Sequence, residues 1–281
     1  MHSAHPDRFG ENRQPGRWVP QDEPAEEFRR IADLQRHLLP REIPQPAGWH
    51  IASHYSVSPW PSGDYYDFMP LLDGRIVMAV ADASGHGGLP AVMVAITRVM
   101  LHSCPLSSGH QRQPFCPLQG TVVQPPHIVL AHLNRILIEN SLEGQFMTAF
   151  YAVLNPLDGT LHYANAGHPT PRWWRAVPNH VEAVRDVVGF PLGFEPHAVF
   201  HQGRMEIEPG DVLVCYSDGL TEARNDPGEL FGRERLDAAL RESARCSAED
   251  IKSCILDCLD AFLVGRAPQD DLTLVVVERL D

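Results

Sequence analysis

Asp73-Gly-Arg-Ile-Val-Met-Ala-Val-Ala-Asp-Ala-Ser-Gly-His-Gly87 sets the grammar of the whole chain. Asp-Gly between apolar runs is a hairpin signal. Arg75 to Ala81 therefore reads as a strand returning against Asp64-Tyr-Tyr-Asp-Phe68. The strand ends on Asp82 and runs into the glycine-bearing loop Ser84-Gly-His-Gly87. The pattern recurs downstream. Phe146 to Leu154 meets a turn at Asp158-Gly159 and returns as Leu161 to Asn165. Further strands are expected at Ile51–Val57, Pro171–Val177, Val199–Ile207 and Val212–Tyr216, with a last one opening at Leu272.

Helices are expected at Ala25–Leu39, Leu89–His102, His127–Ser141, Arg233–Ala244 and Ala248–Leu263. The first has Phe28, Ile31, Leu34 and Leu38 on one stripe, acids in its first turn, and Pro40 as its stop. Strands and helices are grouped rather than alternating, and hairpins dominate. That favours antiparallel sheets flanked by helices, an α+β plan. The strand runs are apolar without strict alternation, so both faces are covered. Two sheets packed together with helices outside satisfy that.

Within this frame three strands carry acid at their ends: Asp82, Asp218 in Ser217-Asp-Gly-Leu-Thr-Glu222, and the pair Asp270-Asp271 before Leu272-Thr-Leu-Val-Val-Val277. Such groups are costly unless they meet a cation or a donor. Residues two apart on a strand share a face. Ile76, Met78, Val80 and Asp82 line up, as do Val212, Val214, Tyr216 and Asp218. Asp270 follows Leu272, Leu274 and Val276, while Asp271 points the other way, and the same parity separates Asp64 from Asp67. Parity does not choose within either pair. Oxygen-only donors suit hard cations such as Mg²⁺ or Mn²⁺ rather than zinc or copper.

Composition narrows the alternatives. Of 281 residues 43% are hydrophobic, an ordinary globular value, and the net charge of −13 opposes a nucleic-acid backbone as partner. No apolar stretch approaches the roughly 18 residues of a membrane span, and the first 24 residues lack a signal-peptide core, so no membrane partner and a cytoplasmic location are expected. The six cysteines form no C-x-x-C pair, and the fifteen histidines are scattered with no H-E-x-x-H. A zinc enzyme is not expected. Ser84-Gly-His-Gly87 lacks the lysine of a nucleotide P-loop. Residues 1–24 read as a flexible leader, 25–40 as a coupling helix, 41–281 as one domain, and 104–126 as an exposed insertion rich in Pro, Gln and Ser.

Eight segments, in order, resemble the bacterial PPM-type (PP2C-like) serine/threonine phosphatases of the SpoIIE/RsbU group. They are Leu34-Gln-Arg-His-Leu-Leu-Pro40, Ser62-Gly-Asp-Tyr-Tyr-Asp-Phe68, Asp82-Ala-Ser-Gly-His-Gly87, Phe146-Met-Thr-Ala-Phe-Tyr151, Tyr163-Ala-Asn-Ala-Gly-His-Pro169, Phe190-Pro-Leu-Gly193, Ser217-Asp-Gly-Leu-Thr-Glu-Ala-Arg224 and Asp270-Asp-Leu-Thr273. Each is weak alone, and the order is specific. Ser62 and Ala83 depart mildly from the commoner family residues, and the 104–126 insertion has no family counterpart.

The resemblance implies a four-layer αββα sandwich with two Mg²⁺ or Mn²⁺ ions between its sheets. It implies Asp64, Asp82, Asp218 and Asp270, with the backbone carbonyl of Ala83, as metal ligands that activate water for attack on phosphoserine or phosphothreonine. Asp271 stands where eukaryotic relatives carry Asn. Asp67, His86, Asn165, His168 and Asp271 are expected around the ligands rather than among them, with His86 or His168 as proton donor the less favoured reading. The implied substrate is a STAS-type anti-anti-sigma factor. An upstream sensor or regulator on another chain is expected, acting through the 25–39 helix, which also offers a homodimer contact. A catalytically silent module that only binds partners is the alternative, and the full carboxylate set speaks against it.

Overall fold

The computed structural model describes residues 23–56, 61–85, 87–102, 124–140, 144–184 and 187–280. In chain order the elements are α1 (Glu23–Arg36), β1 (Trp49–Ser56), β2 (Asp64–Pro70), β3 (Ile76–Ala83), α2 (Gly88–His102), α3 (Pro126–Asn140), β4 (Met147–Leu154) and β5 (Thr160–Ala166). There follow β6 (Arg172–Arg175), β7 (His180–Ala183), β8 (Val188–Gly189), β9 (Gly203–Glu206), β10 (Val212–Tyr216), α4 (Asp218–Thr221), α5 (Gly232–Ser243), α6 (Ala248–Leu263) and β11 (Leu272–Arg279).

One sheet has the order β1-β11-β10-β6-β7; the other runs β2-β3-β4-β5-β8, with β9 also on β5. Every pairing is antiparallel except β5 with β8. The alternation of side chains then makes three apolar layers. Met78, Val80, Phe150, Tyr163, Leu213, Cys215, Val275 and Val277 pack between the sheets. Val77, Ala79, Tyr151 and Val153 pack under α2 and α3 through Met93, Val94, Leu130, Leu133 and Leu137. Val212, Val214, Leu274 and Val276 pack under α5 and α6 through Leu236, Leu240, Ile251, Ile255 and Leu259. This is the αββα sandwich expected from the sequence, and it explains why the strands are apolar on both faces.

Local chemistry sets the element ends. Ser247 caps α6 by accepting the Asp250 N–H, with Glu249 and Asp250 in the first turn, and the helix closes on Val264 in the left-handed region. Asp73 accepts the Arg75 N–H and pairs with its guanidinium at the β2–β3 turn, where Gly74 takes φ +85°. Gly74 sits in open space, whereas Gly159 at the β4–β5 turn lies against the Ile207 carbonyl and Arg279.

Several expectations need correction. The first helix starts at Glu23 and ends at Arg36; Leu38 lies in the following turn, held by an i→i+3 bond to Gln35. The strand read over Val199–Ile207 is formed only at Gly203–Glu206. Phe200 instead turns inward against the Gly189 backbone. The short strands β7 and β8 and the helical turn α4 were not anticipated. The leader up to residue 22, most of the 104–126 insertion and His86 lie outside the described residues.

Candidate active site

The acidic groups gather at one end of the sandwich, and the ladders put them there. Asp64 and Asp82 are register partners across β2 and β3, and Thr148 partners Asp82 from β4. Asp82 continues the Met78–Val80 face, so it emerges between the sheets as parity predicts. Asp218 reaches the same place differently. Val212, Val214 and Tyr216 face the helices, so a continued strand would carry Asp218 away from the site. The strand instead stops at Tyr216, Ser217 is extended, and Asp218 opens α4.

A cleft of about 610 Å³ is lined by Asp82, Ala83, Ser84, Phe146, Thr148, Asp218, Asp270 and Asp271. Asp270 and Asp271 both line it, although strand parity would turn them to opposite faces. β11 begins at Leu272, so the two residues before it are not bound by strand parity.

Asp64 lies behind the cleft wall rather than in its lining. It is 2% exposed, and its Oδ2 accepts hydrogen bonds from Ser217 Oγ and Thr273 Oγ1, both at 2.7 Å. Burial pushes its carboxyl up to about 7; the two hydroxyls oppose that shift, and Asp271 and Asp218 add to it. Burial likewise raises Asp82, and the charges of Asp64, Asp218, Asp270 and Asp271 raise it further. Asp218 is raised by burial and then by Asp270. A wall of carboxylates that oppose one another's ionisation is what a cation relieves.

Two glycines let the backbone close around this cluster. A Cβ on Gly63 would lie 2.3 Å from the Ala83 carbonyl oxygen and 2.9 Å from Asp82 Oδ1. A Cβ on Gly219 would lie 1.9 Å from the Asp271 carbonyl oxygen. Real Cβ atoms do not occupy such positions, so the two motif glycines are steric requirements of the site.

Asn165 and His168 stand behind Thr148. Asn165 accepts the His168 N–H at 2.8 Å and donates to its carbonyl at 3.0 Å. This clasp holds Gly167 at φ +71° against Pro191. His168 Nδ1 is 2.8 Å from Thr148 Oγ1, which donates weakly to the Asp82 carbonyl at 3.4 Å. Burial lowers the His168 pKa to about 3, and the Tyr216 carbonyl opposes that only in part. That carbonyl makes no well-formed hydrogen bond to Nε2, which is left without a partner. His168 is therefore neutral and lies outside the cleft, a poor proton donor to anything in it. Asp67 is on the opposite face of β2, where it accepts from the Tyr65 hydroxyl and contacts His102 Nε2, both at 2.5 Å.

Sequence reasoning missed Ser217, Thr273, Thr148 and Gln35. Gln35 of α1 donates to the Ser62 carbonyl at 2.7 Å and accepts the Ser62 N–H at 2.9 Å, fastening the helix to the residue before Gly63-Asp64. All four fall within motif segments, but their partners are 20 to 209 residues away, which no local pattern reveals.

Among the described residues no three acidic, histidine or cysteine side chains close on a single point at ligand distance. The carboxylates share the cleft walls instead. Their chemistry fits hard divalent cations: oxygen donors only, excess negative charge, and room between them. The four-residue spacings His50/His54 and His197/His201 fall on a strand and a loop, not on one helix face.

The sandwich, the carboxylate cleft and the motif glycines define a PP2C-type phosphatase domain. The family model described as stage II sporulation protein E (SpoIIE) matches residues 72–280, and the chain belongs to that family. It is 29% identical over 259 residues to phosphoserine phosphatase RsbU of Bacillus subtilis (strain 168), covering 92% of this chain and 72% of that one. It is 26% identical over 275 residues to protein IcfG of Synechocystis sp. (strain ATCC 27184 / PCC 6803 / Kazusa), covering 90% of this chain but only 41% of IcfG. The PP2C domain of SiaA from Pseudomonas aeruginosa shares the fold at a TM-score of 0.75 and 19% identity, over 93% of this chain and 98% of that one. No helix among the described residues is long and apolar enough to cross a membrane.

Proposed function

We propose that this protein hydrolyses phosphoserine and phosphothreonine in a protein substrate. The observation that carries this reading is the convergence of Asp82, Asp218, Asp270 and Asp271 on one cleft, with Asp64 buried behind them. Asp64, Asp82, Asp218, Asp270 and the Ala83 carbonyl would hold two Mg²⁺ or Mn²⁺ ions. When bound, the ions supply charge neutralisation for the phosphoryl group and make water nucleophilic at neutral pH.

The chain's own residues do the positioning. Ser217 and Thr273 fix the Asp64 carboxylate through Oδ2 and leave Oδ1 for other use. Thr148, held by His168, sets the Asp82 backbone. Ser84 and Phe146 exchange backbone and hydroxyl hydrogen bonds, which fixes the loop after Asp82 over the cleft. No nucleophilic side chain is needed; among the described residues the hydroxyls that line the site are those of Ser84 and Thr148.

The substrate in this reading is a STAS-type anti-anti-sigma factor in the cytoplasm. The α1 helix carries a regulatory input, from a sensor or regulator protein or from a second copy, through Gln35 to Ser62. The test is hydrolysis of para-nitrophenyl phosphate and of a phosphoserine peptide with Mn²⁺ or Mg²⁺. Turnover that EDTA abolishes is expected. A folded, metal-supplemented protein that releases no phosphate from either substrate would overturn the reading.

A further inference from the structure

Phe190 and Phe194 are 54% and 60% exposed, although the loop that carries them is fixed on every side. Met147 and Leu192 exchange backbone hydrogen bonds at 2.8 and 2.7 Å. Buried Asn134 of α3 accepts the Gly193 N–H and donates to the Glu195 carbonyl, at 2.8 and 2.9 Å. Gly193 takes φ +82°, and a Cβ there would meet the Gln145 carbonyl at 3.3 Å. The two aromatics are thus displayed by a rigid loop.

They form a ladder with the cleft. Phe146, which lines the carboxylate site, meets Phe194 edge-on at 6.2 Å, and Phe194 stacks on Phe190 at 6.2 Å. Phe190 then forms a wall of a second groove of about 610 Å³, whose apolar lining is Val188, Pro191, Ala198 and Val199 and whose rim carries Glu195, His197 and His201. Val188 and Val199 are themselves 49% and 66% exposed. The apolar surface is therefore continuous from the acidic cleft to the groove.

We infer that this ladder and groove bind apolar side chains of the phosphoprotein segment flanking the phosphorylated residue. The inference rests on the phosphatase reading, whose cleft the ladder adjoins. Position supports that occupant: the rings lead out of the cleft, so a substrate whose phosphoryl group enters it lays its flanking residues on them, and outside the cleft a chain of net charge −13 gives an anionic segment no general electrostatic attraction. Two ring-to-ring steps of 6.2 Å put Phe190 no more than about 12 Å from Phe146, which an extended peptide at ~3.3 Å per residue crosses in about four residues. The anchoring side chain then sits about four to six residues from the phosphorylated one. A preorganised loop loses little freedom on binding, which suits a docking role.

The test compares two labelled phosphoserine 15-mers of equal charge, one with Leu and Val four to six residues from the phosphoserine and one with Ser and Gln there. Binding to full-length D82N protein, which keeps the peptides intact, is read by fluorescence anisotropy in Mn²⁺. The apolar peptide is expected to bind about tenfold more tightly. D82N/F190S/F194S should lose most of that preference, and D82N/F190L/F194L should keep it. Equal affinity for the two peptides, or a preference that survives in the serine variant, would overturn the inference. Failure of the wild-type protein to hydrolyse para-nitrophenyl phosphate would strike the phosphatase reading instead and leave the binding preference to be judged by itself.

Discussion

Asp64 and Asp82 face each other as register partners on β2 and β3; burial raises both carboxyls, the Asp64 charge raises Asp82 further, and the charges of Asp271 and Asp218 add to the rise at Asp64. The pair stores unfavourable electrostatic energy in the protein without its cations. Asp82→Asn removes one member while keeping its shape. Hydrolysis should fall by at least about a hundredfold. Stability in EDTA should rise, by about 1 kcal/mol, as a like charge is lost. Steady-state kinetics and thermal melts measure the two effects, and an active or destabilised variant would contradict the pairing argument.

The two acids before β11 both line the cleft, so both should matter, unequally. Asp270→Asn is expected to cost about a hundredfold or more in kcat/KM, because Asp270 is the proposed ligand. Asp271→Asn should cost about tenfold, through its field on Asp64. Titrating Mn²⁺ against activity separates them, since only the former should demand much more metal. The reverse order would reassign the ligand.

Gly219 touches the Asp271 carbonyl so closely that no side chain fits. Gly219→Ala must push the β10–α4 connection away from the start of β11. The cost should be about 2–3 kcal/mol in urea unfolding, together with most of the activity. Gly74→Ala is the control for space, since its neighbourhood is open and only its φ of +85° resists the change. It should cost about 1 kcal/mol and leave hydrolysis intact.

His168 makes a pH prediction. Burial holds its pKa near 3 in the folded chain, below the usual 6.5 of the unfolded one. Between these values the unfolded state binds the extra proton. The stabilisation is thus complete above about pH 6.5 and is lost as pH falls toward 3, with a slope approaching ~1.4 kcal/mol per pH unit from this group. His168→Gln should flatten the acid limb of urea-derived stability between pH 4 and 6 by about that slope. An unchanged limb would mean that the imidazole is not buried neutral.

Gln35 is the hydrogen-bonding contact of α1 with the segment before Asp64, and Phe28 lies beside Gly87 and Gly88 of the loop after Asp82. Gln35→Ala leaves the Ser62 N–H and carbonyl without their partners, at a cost of about 1–2 kcal/mol. If α1 regulates, removal of residues 1–39 should change hydrolysis in the same direction as Gln35→Ala. Rates for both proteins that match the full chain would show that α1 only covers the core.

Much of this was legible locally. The Asp-Gly turns gave the hairpins, and acid at strand ends marked the cleft because a carboxylate after an apolar run needs a reason. Strand parity placed Asp82 correctly, since β3 runs unbroken to Ala83. It misplaced Asp218 and over-restricted Asp270 and Asp271, because each lies just beyond its strand, where alternation no longer applies. Val199–Ile207 read as a strand from composition, yet burial of Phe200 overrode that propensity. The hydroxyls on Asp64 were beyond reach, since Ser217 and Thr273 meet it only after both sheets are assembled.

The β2–β3 turn at Asp73-Gly74 has a practical meaning. It lies at the far end of both strands from Asp64 and Asp82, roughly 20 Å along the ladder at ~3.3 Å per residue. Neighbouring Leu72 is almost wholly solvated, and nothing surrounds Gly74. A fluorophore or affinity handle grafted there would report on the protein while standing clear of the chemistry, whereas the crowded Gly159 tip beside Arg279 would not accept one.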